Sequence, residues 1–287
     1  MVARLAVTAA VLVAVAACGG RSQAPGPAPA TTSAPANPGP AASAPAGSPT
    51  ALPREPGPSA PPATQPAPAA GARPITGWLA GKDWTLVPTI RHVVALTFDA
   101  GANADAVPSI LATLRRDHVS ATFFLTGNFA RAFPAAARAI AEAGYRIGDH
   151  TISHPHLSSL SDAVVRGEIL GGARLITAVT GASPAPLFRF PYGDASARTI
   201  AIANRAGYVP VRWTVDTLGW EGTAGHISAG VVAARVLAAL RPGEIVLMHV
   251  GSNPSDHSTF DADALPHVIS ELRAHGYSFV TLDALAG

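Results

Sequence analysis

His150 and His154 stand four residues apart in the stretch His150-Thr151-Ile152-Ser153-His154. Two imidazoles at that spacing, directly behind a short strand-like stretch, are candidate ligands for one divalent metal. Imidazole suits zinc and other transition metals. Upstream, the apolar run Val94-Ala95-Leu96-Thr97-Phe98 ends on Asp99. A buried carboxylate at a strand end could take a proton from a metal-bound water. The histidine spacing alone also fits one hydrogen-bonded and one exposed imidazole, so the rest of the chain has to decide.

Three further stretches carry side chains that could bind or move protons. Arg189-Phe190-Pro191-Tyr192-Gly193 sets a cation beside a turn, Asp216 and Trp220 lie four residues apart, and Ile245-Val246-Leu247-Met248 runs into His249. On an apolar strand, His249 by itself reads as a hydrogen-bonded core histidine. His92, His118, His226, His257, His267 and His275 read as solvated or loop residues, and His156 has no assigned role.

The elements that must position these residues alternate. Residues 93–98, 121–126, 145–148, 187–190, 209–215, 244–249 and 278–282 read as strands, and residues 107–116, 134–143, 162–179, 197–206, 229–240 and 264–274 as helices. Gly144, Gly181, Gly207 and Gly276 stand behind four of the helices, where a left-handed residue ends a helix cheaply. Seven strands alternating with helices imply an α/β fold with a mainly parallel sheet. A barrel and an open sheet both fit. In either, chemistry gathers beyond the carboxyl ends of the strands, where the residues above fall.

The domain spans residues 74–287, long enough for a sizeable core. Before it, residues 19–73 are rich in Pro, Ala, Gly, Ser and Thr and hold more than half of the 27 prolines. Such a stretch cannot bury enough surface to offset its ordering entropy, and it reads as a disordered, partly polyproline-II spacer. Its upper reach is on the order of 150 Å, at roughly 3.1 Å per residue. Residues 1–18 read as a signal peptide: Arg4 precedes an apolar run too short to span a bilayer. Val15-Ala16-Ala17-Cys18 resembles the bacterial lipobox, and Cys18 is the only cysteine. Lipidation at Cys18 would anchor the chain to the outer face of a bacterial membrane; the alternative is plain secretion. The formal net charge is +2, with no basic stripe interleaved with aromatics, which argues against nucleic acid as a partner.

Taken together, five stretches resemble, in order, the motifs of polysaccharide deacetylases with the NodB homology domain, carbohydrate esterase family 4. They are Thr97-Phe98-Asp99-Ala100-Gly101, His150–His154, Arg189–Gly193, Asp216-Thr217-Leu218-Gly219-Trp220 and Leu247-Met248-His249. The resemblance implies a distorted (β/α) barrel with about seven parallel strands. It implies a divalent metal, zinc first, on His150 and His154. Asp99 would be the catalytic base, held ionised by Arg189, and His249 the acid. A backbone N–H near Tyr192 would stabilise the oxyanion, while Trp220 and Leu247 would wall the acetyl methyl.

Two positions depart from the family pattern. Ala100 stands where the family places an aspartate metal ligand, and Gly219 where it places the aspartate that orients the catalytic histidine. Asp105 or Asn103 could supply the missing oxygen, although Asp105 also reads as a helix N-cap. Asp216 could reach His249. The expected activity is metal-assisted removal of N-acetyl groups from a cell-envelope polysaccharide, peptidoglycan first. The alternatives are an O-acetyl polysaccharide esterase and a non-catalytic glycan-binding protein with a degenerate site.

Overall fold

The longest strand among the described residues, β1 (Val93–Ala100), is buried at every residue, as a continuous apolar run covered on both faces should be. The computed structural model describes residues 73–285. The expected signal peptide, Cys18 and nearly all of the spacer lie outside the described residues. Around β1 stand β2 (Ala121–Leu125), β3 (Arg146–Asp149), β4 (Leu187–Phe188), β5 (Val209–Pro210), β6 (Val215–Asp216), β7 (Glu244–His249) and β8 (Ser278–Phe279). The helices are α1 (Val107–Arg116), α2 (Gly127–Ala132), α3 (Pro134–Glu142), α4 (Asp162–Thr180), α5 (Ala197–Arg205), α6 (Ala229–Ala239) and α7 (Phe260–Ala274).

Strand order is β5-β4-β3-β2-β1-β7-β6, with β8 beside the start of β1. Every pairing is parallel. β5 and β6 are opposite edges of this path, yet residues 211–214 alone join them. The sheet must therefore curl to bring these edges towards each other, which gives the expected distorted, incompletely closed barrel. Residues 84–87 fill the seam: Trp84 N–H donates to Pro210 O at 3.0 Å, Arg212 N–H to Trp84 O at 2.7 Å, and Val87 N–H to Gly243 O at 2.8 Å.

Strand periodicity sorts the side chains into two environments. Val94, Leu96, Phe98 and Ala100 of β1 join the large apolar cluster formed with α1, α6 and α7. Ala95 instead belongs to a second cluster with Phe124, Leu187, Val209, Val211 and Ile245, inside the curl. Asp99 is in phase with Ala95, and His249 with Ile245, so both are aimed into the barrel. The inner cluster is the apolar floor of the space they face.

The structure corrects four expected elements. The single strand expected at 209–215 is two short strands on opposite edges. The strands expected at 187–190 and 278–282 stop at Phe188 and Phe279. Helix α2 was not anticipated; the Thr126 side chain caps it by accepting from Phe129 N–H at 3.0 Å. Finally, α7 begins at Phe260 rather than 264, one turn earlier, which puts Asp261 in its first turn.

Candidate active site

At the carboxyl ends of the strands opens a cavity of about 610 Å³, lined by Asp99, Asn128, His150, His154, Tyr192, Trp213, Asp216, Trp220, Leu247 and His249, among others. Its Asp99 wall is backed by an ion pair. Arg189 is fully buried, and its Nη1 donates to Asp99 Oδ1 at 2.7 Å. Nε donates to Val211 O at 3.1 Å and Nη2 to Arg212 O at 2.9 Å, so the guanidinium fork is held on three sides. It also lies over the Phe124 ring, 4.1 Å from the centroid. Burial pushes the Asp99 carboxyl up, but Arg189, with His150 and His249 adding to it, holds it below the ordinary value. Asp99 is an anion at neutral pH.

The histidine loop follows β3. His150 Nδ1 lies 2.8 Å from Arg189 O. A carbonyl only accepts, so Nδ1 carries the proton and a neutral His150 turns its Nε2 lone pair to the cavity. Burial pushes His150 below the ordinary histidine value and His154 down to about 4, so both rings are neutral at pH 7. His150 Nε2 stands 3.4 Å from Asp99 Oδ2, and the two imidazole centroids are 4.7 Å apart. A lone pair facing a carboxylate at that distance repels it unless a cation stands nearby. This donor chemistry fits a divalent ion held by two imidazoles. Among the described residues, however, no group of three or more His, Cys, Asp or Glu side chains is arranged to hold a metal.

The loop is braced from α4. Glu168 accepts from Ile152 N–H and Ser153 N–H, each at 3.0 Å, and from Ser153 Oγ. Asp149 is fully buried, and burial with the nearby Glu168 pushes it well above the usual carboxylate value. Its Oδ1 accepts from Thr151 N–H at 3.1 Å. A Cβ on Gly172 would stand 2.4 Å from that Oδ1 and 2.7 Å from the Thr151 backbone, so only glycine admits the loop here. Thr151, His154, Tyr192 and Leu218 all adopt positive φ around the cavity. Non-glycine residues hold that conformation at a cost, and such strain gathers at functional sites.

Tyr192 is 60% exposed, and its ring meets His154 edge-on at 4.5 Å and stacks on His156 at 4.1 Å. His156 thus has a place: it sits behind Tyr192 with Nδ1 3.5 Å from Asp194 Oδ2. The Tyr192 N–H donates to no acceptor among the described residues. Across the cavity, Trp220 is half exposed and packs near the His249 ring, 6.3 Å between centroids. Leu247 is buried beside them.

Residues 87–211 match the profile of the polysaccharide deacetylase family. A peptidoglycan-N-acetylglucosamine deacetylase from Bacillus cereus is 36% identical over 198 residues, which cover 69% of this chain and 70% of that one. The chain belongs to the polysaccharide deacetylase family. Among solved family structures, that of the Bc1960 peptidoglycan N-acetylglucosamine deacetylase, bound to an N-hydroxybenzamide, is 34% identical with a TM-score of 0.64, covering 70% of this chain and 91% of that one. The fold also resembles BA3943, a family pseudoenzyme from Bacillus anthracis: 28% identity, a TM-score of 0.62, and 69% and 66% of the two chains.

In this polysaccharide deacetylase domain, Asp99, His150, His154, Tyr192, Trp220, Leu247 and His249 share one cavity, with Arg189 buried behind Asp99. Asp105 is not among the lining residues; its carboxylate accepts from Ser252 Oγ, and it caps no helix. Asn103 is likewise engaged by the Ser252 backbone. Ala100 faces the outer apolar cluster rather than the cavity. Asp216 lines the cavity but turns its Oδ1 to Leu218 N–H, 3.0 Å away. The carboxylate beside His249 belongs to Asp261, which the sequence reading missed. Burial pushes the His249 imidazole down, but Asp261, then Asp99 and Asp216, carry it above the ordinary value.

Proposed function

We propose that this protein hydrolyses the acetamide of N-acetylated amino sugars in a cell-envelope polysaccharide, with peptidoglycan as its first substrate. The carrying observation is the pairing within one cavity of an ionised Asp99 and a His249 with raised proton affinity. An acetamide needs both: a base to activate water, and an acid so that the amine leaves protonated. Asp99 takes a proton from water as its oxygen attacks the carbonyl carbon. The Tyr192 N–H is the donor for the negative oxygen that develops. His249 gives its proton to the nitrogen as the C–N bond breaks, leaving acetate and a free amine. A divalent cation on His150 and His154, zinc by their donor chemistry, would supply carbonyl polarisation and acidify the water. Trp220 and Leu247 close an apolar wall around the methyl group.

We further infer that the chain works at the outer face of a bacterial membrane, anchored through a lipidated Cys18 with residues 19–73 as spacer. The lipobox-like Val15-Ala16-Ala17-Cys18 supports the anchor, and the peptidoglycan substrate named for the Bacillus cereus relative fits that place. Membrane fractionation of the wild type and Cys18→Ser tests the anchor.

Incubation of the full-length protein with purified peptidoglycan, with and without chelator and added zinc, tests the activity. Acetate release with new free amines on the glucosamine residues is expected. Acetate from O-acetylated polymer alone identifies an esterase, and tight glycan binding without release identifies a non-catalytic protein.

A further inference from the structure

His249 ends β7 with its Nδ1 buried and without a hydrogen-bond partner among the described residues. The group it faces is the Asp261 carboxylate, whose Oδ2 lies 3.6 Å away, about 0.4 Å beyond the usual hydrogen-bond range. Asp261 comes from the first turn of α7 and is 3% exposed. Thr217 Oγ1 donates to its Oδ1 at 2.6 Å, and the His249 backbone N–H to its Oδ2 at 2.8 Å. The carboxylate is therefore fixed from β7 and from the loop after β6, with a lone pair of Oδ2 left for the imidazole.

Gly219 explains how the carboxylate reaches this place. A Cβ there would stand 2.3 Å from Asp261 Oδ1 and 2.4 Å from its Cγ. No side chain fits at position 219 while Asp261 keeps its position. Building on the deacetylase reading of His249, we propose that Asp261 is its positioning residue, delivered from α7 into space that Gly219 leaves free. The carboxylate missing from position 219 in sequence is present in space.

The arrangement has a chemical consequence. A shift of a few tenths of an ångström would close the Asp261–Nδ1 hydrogen bond; the carboxylate then favours a proton on Nδ1 and leaves Nε2 as the donating atom. The other ionisable groups facing the ring are Asp99 of β1, Asp216 of β6 and the neutral imidazoles of His150 and His154. Of the carboxylates among them, Asp261 alone lies within 4 Å of a His249 nitrogen.

Three full-length variants and the wild type test the proposal. Asp261→Asn is expected to lower kcat about 10–100-fold with KM little changed, and to move the alkaline limb of kcat to lower pH. Asp261→Ala is expected to lose at least as much. Asp261→Ala with Gly219→Asp exchanges the two positions and is expected to recover most of the kcat and the wild-type alkaline limb. A merely structural aspartate would not move the limb, and the exchange would not restore it. A folded Asp261→Asn with wild-type kcat and limb overturns the proposal, as does a folded exchange variant no better than Asp261→Ala. Nuclear magnetic resonance of the wild type decides independently of turnover. A downfield Nδ1–H resonance from protonated His249 is expected, and its absence across the titration overturns the proposal even if the variants fail to fold. Failure of the deacetylase reading is separate: it is read from absent acetate release by the wild type.

Discussion

Asp99 and His249 are register partners on the adjacent parallel strands β1 and β7. The proposed base and acid are thus set one strand spacing apart by the sheet itself, and both side chains point inward because each strand is in the same phase. Arg189 behind the one and Asp261 beside the other complete two oppositely biased pairs. One carboxyl is held ionised, and one imidazole is held ready to carry a proton.

Asp99→Asn keeps shape and one acceptor for Arg189 but cannot accept a proton from water. Acetate release should fall by roughly 10²–10⁴-fold, the usual scale for losing a general base. Near-normal turnover by a folded variant would remove Asp99 from the mechanism.

Arg189→Met strips the cation from a buried carboxylate. Breaking a buried pair in this way costs about 3–5 kcal/mol, which urea unfolding will read. Without Arg189, burial dominates at Asp99 and its pKa rises. Stability that the wild type keeps above the ordinary carboxylate value, and loses only as pH falls through the lowered one, is then lost at higher pH. Acid unfolding at the wild-type midpoint would contradict this account.

On the proposed mechanism, activity needs Asp99 ionised, His150 and His154 neutral and His249 protonated. Asp99 lies below its ordinary 3.8, His150 below its ordinary 6.5, His154 at about 4 and His249 above 6.5. The profile of kcat/KM should be a bell whose acid limb lies below 6.5 and whose alkaline limb lies above it. The sign for His249 also holds for stability: its contribution is full below 6.5 and fades as pH rises through the raised value. An alkaline limb below 6.5 would show that another group limits the reaction.

Ala100→Asp reinstates the family's residue, but on this backbone the side chain enters the outer apolar cluster. An unpaired carboxyl there costs a few kcal/mol, on the order of 2–4. Thermal unfolding should show a lower midpoint, and zinc titration no tighter binding than in the wild type. Stoichiometric, tighter zinc would mean that residue 100 turns inward when metal is present.

Trp220→Ala removes a half-exposed wall. KM should rise several-fold, a loss of about 1 kcal/mol of contact, while the unfolding midpoint stays near that of the wild type. An unchanged KM on polymeric substrate would place the glycan elsewhere.

The alternation of strands and helices, and the residues at the strand ends, were readable because apolar runs and stop glycines punctuate the chain. Three features escaped for physical reasons. The stretch 209–215 looks like one β-branched strand, and only the curl of the sheet decides that the chain leaves one edge and enters the other. Gly127 looks like a breaker, yet a Cβ there would stand 2.8 Å from Leu175, so glycine is what lets α2 pack on α4. Asp261 was hidden because Pro266 draws the apparent start of α7 forward, past the turn that carries it. Its partnership with His249 exists only once α7 folds back over β7. His150 and His154, by contrast, are neighbours in sequence, and their spacing was visible at once.

The seam at residues 84–87 also bears on how the barrel can form. Thr85 O accepts from Thr214 Oγ1 across 129 positions of sequence, and Trp84 bonds to Pro210 and Arg212. Contacts of such sequence separation offset their loop-closure entropy only after the chain between them has ordered. Without the seam, the outer sides of β5 and β6 would be open strand edges of the kind that invite pairing with another chain.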